Sequence, residues 1–101
     1  MIDQRIALVT GANRGIGKEV ARQLAHDHGL KVLVGSRDLD KGEAAAQQIG
    51  HGAEAIHLDV SDPASVNSAF AHIDAEYGRL DILVNNAGWT TTQTNRHILP
   101  I

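Results

Sequence analysis

Four short apolar runs recur along the chain at intervals that leave room for a helix between each pair: residues 5–9 (RIALV), 31–35 (KVLVG), 53–58 (AEAIHL) and 80–84 (LDILV). Each is rich in aliphatic and β-branched residues and is continuous in hydrophobicity, the pattern of a strand covered on both faces. The segments between them read as helices. The first spaces Ile16, Val20, Leu24 and His28 four apart and stops at Gly29, where a left-handed cap suits glycine. The second starts near Asp38 or Asp40 and runs through KGEAAAQQI, with Ala44, Ala45 and Ala46 favouring helix, Gly42 opposing it and Gly50 as a stop. In the third, Asp62 can cap, Pro63 suits the first turn, and Val66, Phe70, Ile73 and Tyr77 share a face before Gly78. The predicted order is βαβαβαβ.

Strands joined by crossover helices pair in parallel, the crossovers are right-handed, and helices cover both faces of the sheet. The class is therefore α/β and doubly wound. A chain of 101 residues has room for one such domain, burying roughly two thirds of its unfolded surface. With only three aromatic residues, its core must be aliphatic. A net charge of −3 with dispersed Lys and Arg offers no basic stripe, so neither nucleic acid nor an anionic membrane is an expected partner. There is no cysteine, hence no disulfide and no thiolate metal site. His26 and His28 stand two apart and point in different directions, and the other histidines are scattered, so no metal site is expected. The opening MIDQRIALVTG is unlike a signal peptide and no run approaches membrane-spanning length; a cytoplasmic location is expected.

The most informative stretch is VTGANRGIGKEV, residues 9–20, where the first strand hands over to the first helix. Gly11 permits a sharp turn, Gly15 lets backbone approach a ligand closely, and Gly17 lets the new helix lie against the sheet. Free N–H groups at that helix start carry about half a positive charge and suit a pyrophosphate. The spacing Gly11-x-x-x-Gly15-x-Gly17 lacks the Lys-Ser/Thr of a P-loop, which disfavours an ATPase.

Three motifs then fall in register with the predicted strand ends: TGANRGIG at 10–17, LDV at 58–60 and NNAG at 85–88. Together they resemble the short-chain dehydrogenase/reductase family over residues 5–88, and EYGRLDILVNNAG looks like its carbonyl-reductase branch. The resemblance implies a Rossmann-type sheet truncated to about four strands in the order 3-2-1-4, with residues 1–88 as an NADP-binding half-domain and 89–101 as an irregular tail. It further implies that Gly11, Gly15 and Gly17, with the backbone around Asn13 and Ile16, hold the pyrophosphate and adjacent ribose. Asp59 would take the adenine amino group and Val60 border the ring. Asn85, with the backbone of Ala87 and Gly88, would line a cofactor ribose, and Asn86 would tie neighbouring strands together. Trp89 is open to two readings, a border of the nicotinamide pocket or simple packing.

NAD-binding relatives place an acid at the end of strand 2 to hold both ribose hydroxyls. Here the strand runs out as Gly35, Ser36 and Arg37. Ser36 can donate to a 2′-phosphate, Arg37 can clamp it, and Arg14 can reach it from the glycine loop. Arginine is more commonly a solvated surface charge, and Asp38 can partly neutralise Arg37. Two arginines without an acid nonetheless favour NADP(H) over NAD.

Catalysis in the family needs a serine and a Tyr-x-x-x-Lys pair. The only tyrosine is Tyr77, with Asp81 four residues later, so no catalytic residue is assigned. Two function classes follow. One is the cofactor-binding portion of an oxidoreductase moving hydride between NADPH and a carbonyl or alcohol substrate; the other is a non-catalytic NADP-binding module or regulatory fragment. Self-association is expected through an unpaired strand 4 edge with Ile82 and Val84 exposed.

Overall fold

The computed structural model describes residues 4–86 and 98–100. Its elements alternate as β1 (Ile6–Val9), α1 (Gly15–His28), β2 (Lys31–Ser36), α2 (Leu39–Ile49), β3 (Glu54–His57), α3 (Pro63–Tyr77), β4 (Ile82–Asn85) and β5 (Ile98–Pro100). All neighbours in the sheet are parallel, in the order β3-β2-β1-β4-β5. The first four strands thus take the expected 3-2-1-4 arrangement. Among the described residues, no helix is long and apolar enough to cross a membrane.

Strand pleat sorts the core by side-chain size. Register places Val9 beside Val34 and Val84, and Leu8 beside Leu33 and Leu83. Because successive residues point to opposite faces, the valines join Ala21, Ala25, Ala45 and Ala46 of α1 and α2 in one cluster. Ile6, Leu8, Leu33 and Ile56 form the other with Ala69 and Ile73 of α3. Small helix residues meet branched strand residues on one face, and larger aliphatics meet the single helix on the other.

The helix termini follow local chemistry. Asp38 Oδ1 accepts from the Lys41 N–H at 3.2 Å to cap α2, and Asp62 Oδ1 accepts from the Ala64 N–H at 3.0 Å to cap α3. Gly42, expected to weaken α2, lies where an added Cβ would stand 3.0 Å from the Ser36 Cβ. It is the residue that lets α2 approach the end of β2.

Three expectations are corrected. The buried line of α1 is Gly17, Ala21 and Ala25, one residue on from the expected Ile16, Val20, Leu24 and His28. Val20 and Leu24 flank it, while Ile16 is 68% exposed. The helix lies so close to the sheet that only the smallest side chains fit beneath it. Secondly, the irregular tail expected over 89–101 contains β5, which pairs with β4 from Leu83 to Asn85. An unsatisfied strand edge holds backbone partners for even a three-residue segment with little strand periodicity of its own. Thirdly, β4 is therefore paired on both sides and Val84 is 2% exposed, so the expected association edge is not at β4.

Candidate functional site

The carboxyl ends of β1, β2 and β3 open into a cleft of about 960 Å³, lined by the glycine loop, the β2–α2 turn, one face of α2 and the segment after β3. Its floor is fixed by backbone bonds between strands. The Thr10 N–H donates to the Val84 carbonyl at 3.0 Å and the Ala12 N–H to the Gly35 carbonyl at 3.0 Å, so the loop leaving β1 is anchored to β4 on one side and β2 on the other. A Cβ at Gly35 would lie 3.1 Å from the Val9 carbonyl oxygen and 3.3 Å from Leu58 Cδ2, which is why the penultimate position of β2 is a glycine. Asn86 Nδ2 donates to the Gly11 carbonyl at 3.1 Å, joining the end of β4 to the same loop.

Gly11 and Gly15 both adopt positive φ, 61° and 62°, a conformation that side chains rarely tolerate. Between them Arg14 is extended and forms the N-cap of α1 without any side-chain capping bond, and no acid stands in the first turn. The contrast with α2 and α3, each capped by an aspartate, is informative. Glu19, the first acid along α1, is engaged by Arg22 at 2.6 Å and by Gln23 at 2.8 Å, and its carboxyl is held down at about 2, chiefly by the Arg22 bond. The start of α1 therefore presents its N–H groups and dipole to the cleft without a protein anion to quench them.

Eight residues marked from the sequence line the cleft: Gly11, Asn13, Arg14, Gly15, Ser36, Arg37, Asp59 and Val60. Asp59 is the acid among them. Its Oδ1 accepts from the Ser61 hydroxyl at 2.6 Å and the Ser61 N–H at 3.0 Å, and these bonds, with a smaller contribution from Arg37, hold its carboxyl below the usual range. Its backbone N–H is tied to Ser65 Oγ at 2.9 Å, so α3 positions this residue from below. Oδ2 is left able to accept from a ligand donor.

Ser36 departs from expectation. It is only 1% exposed, and its hydroxyl donates to the Asp38 carbonyl at 2.8 Å while accepting from the Asp38 N–H at 3.2 Å. Its single hydrogen is spent on the turn that presents Arg37, so the side chain shapes the cleft floor and has no donor left for a phosphate. Asn85 is not on the cleft wall; its Oδ1 accepts from the Thr10 hydroxyl at 3.2 Å. Gly17 lies behind the loop, and Ile16 next to it is exposed. Ala87, Gly88 and Trp89 lie outside the described residues.

Gly35, Lys41 and Asn86 belong to the site and were not assigned to it from the sequence as ligand or floor residues. Only Asn86 carried a signal, its place in NNAG. Tyr77 is away from the cleft, where its hydroxyl donates to Glu54 on β3; burial first, and then this carboxylate, push its pKa up. Among the described residues no three His, Asp or Glu side chains come together as a metal-ligand set.

The arrangement matches known proteins. A family model described as short chain dehydrogenase matches residues 5–99. (+)-Neomenthol dehydrogenase of Arabidopsis thaliana is 47% identical over 91 residues, covering 83% of this chain and 30% of that protein. Among solved structures, menthone neomenthol reductase from Mentha piperita superposes with a TM-score of 0.81 at 44% identity, covering 87% of this chain and 33% of that one. A gluconate 5-dehydrogenase from Burkholderia cenocepacia, in complex with NADP and tartrate, superposes with a TM-score of 0.76 at 39% identity, covering 86% and 35%. The chain spans about a third of the length of these relatives.

Proposed function

The chain belongs to the short-chain dehydrogenase/reductase family, and on that premise we propose that its cleft binds NADP(H) within an oxidoreductase that moves hydride between NADPH and a carbonyl or alcohol. One observation carries the reading: of α1, α2 and α3, only α1, whose start lines the cleft, lacks a side-chain cap. An anion with several oxygens supplies what the protein withholds there.

The residues present fit the cofactor part by part. The position a Cβ would take on Gly15 has no heavy atom within 4 Å, so the loop leaves space for a pyrophosphate beside the α1 N–H groups. Arg14 and Arg37 flank the route to the adenosine ribose and suit a 2′-phosphate. Asp38, the nearest acid to the end of β2, has Oδ1 committed to capping α2, which leaves the ribose position without a dedicated carboxylate grip. Asp59 suits the adenine amino group, and Val60 one face of the ring. Support for the phosphorylated cofactor also comes from the structural relative that carries NADP.

When bound, nicotinamide supplies or accepts the hydride. The described residues bind and orient the dinucleotide and keep the adenosine end fixed. Tyr77, bonded to Glu54 and away from the cleft, is not its proton donor. The cysteine-free composition supports a reducing compartment, the cytoplasm.

Calorimetric titration of Arg37→Ala tests the phosphate assignment. Loss of one charged contact weakens NADPH about tenfold and leaves NADH nearly unchanged. Equal losses for both cofactors would remove Arg37 from the phosphate site.

A further inference from the structure

Away from the cleft, the turn that joins α2 to β3 runs through three successive positive φ angles: 71° at Gly50, 53° at His51 and 77° at Gly52. Among the described residues His51 is the one non-glycine residue in this region of backbone space, which side chains adopt at a cost. The turn is held from two sides. Lys31 Nζ donates to the Gly52 carbonyl while its charge is paired with Glu54 at 3.3 Å, and His26 Nε2, near the end of α1, lies 2.7 Å from the Ile49 carbonyl oxygen.

This geometry brings together two imidazoles that stand 25 residues apart in the chain. The His51 ring lies against that of His26, with centroids 3.8 Å apart and planes tilted by 40°. Both residues are exposed, and neither lines the cofactor cleft. A carbonyl oxygen can only accept, so His26 Nε2 carries the hydrogen and Nδ1 of the neutral ring keeps its lone pair. A histidine whose N–H is bonded to a backbone carbonyl has the orienting contact that metal-ligating histidines use. His51 makes no hydrogen bond among the described residues, so its ring can turn without breaking one.

We propose that His26 and His51 form a surface site for a late first-row divalent transition ion, held by one nitrogen of each ring with water completing the shell. Imidazole suits Cu²⁺, Ni²⁺ and Zn²⁺, and a pair without a carboxylate offers little to the oxygen-seeking Mg²⁺. Two nitrogens sharing such an ion lie about 3 Å apart. Rings already in contact reach that spacing by a turn of His51. The ion then joins the end of α1 to the α2–β3 turn, a link between elements that is independent of the dinucleotide cleft.

Calorimetric titration with Ni²⁺ at about pH 7.5, above the ordinary imidazole range, tests the site on the unaltered chain and on His26→Gln, His51→Gly and His28→Gln. Glutamine keeps helix propensity and an amide donor for the Ile49 carbonyl, and glycine suits the positive φ at position 51, so the variants are expected to fold. The unaltered chain and His28→Gln should each take up one Ni²⁺, with binding weakened about tenfold or more in His26→Gln and in His51→Gly. Mg²⁺ at the same concentration should not bind. In the unaltered chain, Ni²⁺ should broaden the ring proton signals of His26 and His51 before those of the other histidines. Affinity undiminished in His26→Gln or His51→Gly overturns the site, as does an equal loss in His28→Gln. Broadening spread evenly over all six histidines, or no saturable uptake of Ni²⁺, overturns it without recourse to any variant.

Discussion

Gly17 sits where α1 comes nearest the sheet: a Cβ there would lie 2.6 Å from the Gly11 carbonyl oxygen and 2.5 Å from Asn86 Nδ2. The first contact is with backbone, which cannot step aside cheaply, and the second is with the amide that ties β4 to the glycine loop at 3.1 Å. Gly17→Ala gains helix propensity of about 1 kcal/mol at most, against an overpacking cost of roughly 1–3 kcal/mol. The expected net result in urea unfolding is destabilisation, accompanied by weaker binding of both nicotinamide cofactors because the loop must shift. An alanine variant as stable as the parent would show that the close approach is not required. Glycine at this position was legible from its place in TGANRGIG. The engagement of Ser36 by Asp38 was not, since it depends on where a turn of three residues places a hydroxyl, and sequence spacing leaves that open. Lys41 escaped notice for a similar reason: it lies outside the motifs, and only the packing of α2 beside the cleft brings it near Arg37.

At the scale of elements, β1 and β4 are clamped at their amino ends by Asp81. Its Oδ2 accepts from the Ile6 N–H at 2.8 Å, its own N–H donates to the Ile6 carbonyl at 2.9 Å, and Arg79 holds both carboxylate oxygens. The Arg79 bond first, and then the Ile6 N–H, keep its carboxyl below the usual range. A carboxyl depressed in the folded state adds stability that is fully present above the unfolded value, about 4, and is lost as pH falls through the lower folded value. With the side chain 23% exposed, Asp81→Asn is expected to cost about 1 kcal/mol at pH 7. The gap between variant and parent should narrow as urea unfolding is repeated down to pH 2; a gap independent of pH would contradict the clamp. Strands and helices were readable from apolar runs, caps and glycine stops, because those signals are local. The register of the α1 face was not, because Ile16 looks like a core residue until the distance from helix to sheet excludes large side chains. Strand β5 was hidden because it is held by its pairing with β4 while carrying too few residues to show a period.

In the whole molecule, a parallel sheet brings three strand ends, one uncapped helix and the side chains of Arg14, Arg37 and Lys41 to a single cleft. On the proposed reading, phosphate recognition is divided between two places: the start of α1 for the pyrophosphate, and the β2–α2 region for the phosphate that distinguishes NADP(H) from NAD(H). Backbone amide shifts in a ¹⁵N-labelled sample titrated with each cofactor separate these two places in one experiment. Both cofactors should move the amides of residues 13–17 and 59–61, whereas NADPH alone should move those of residues 36–41 strongly. Saturable shifts clustered elsewhere, or identical patterns for NADPH and NADH across residues 36–41, would contradict the assignment.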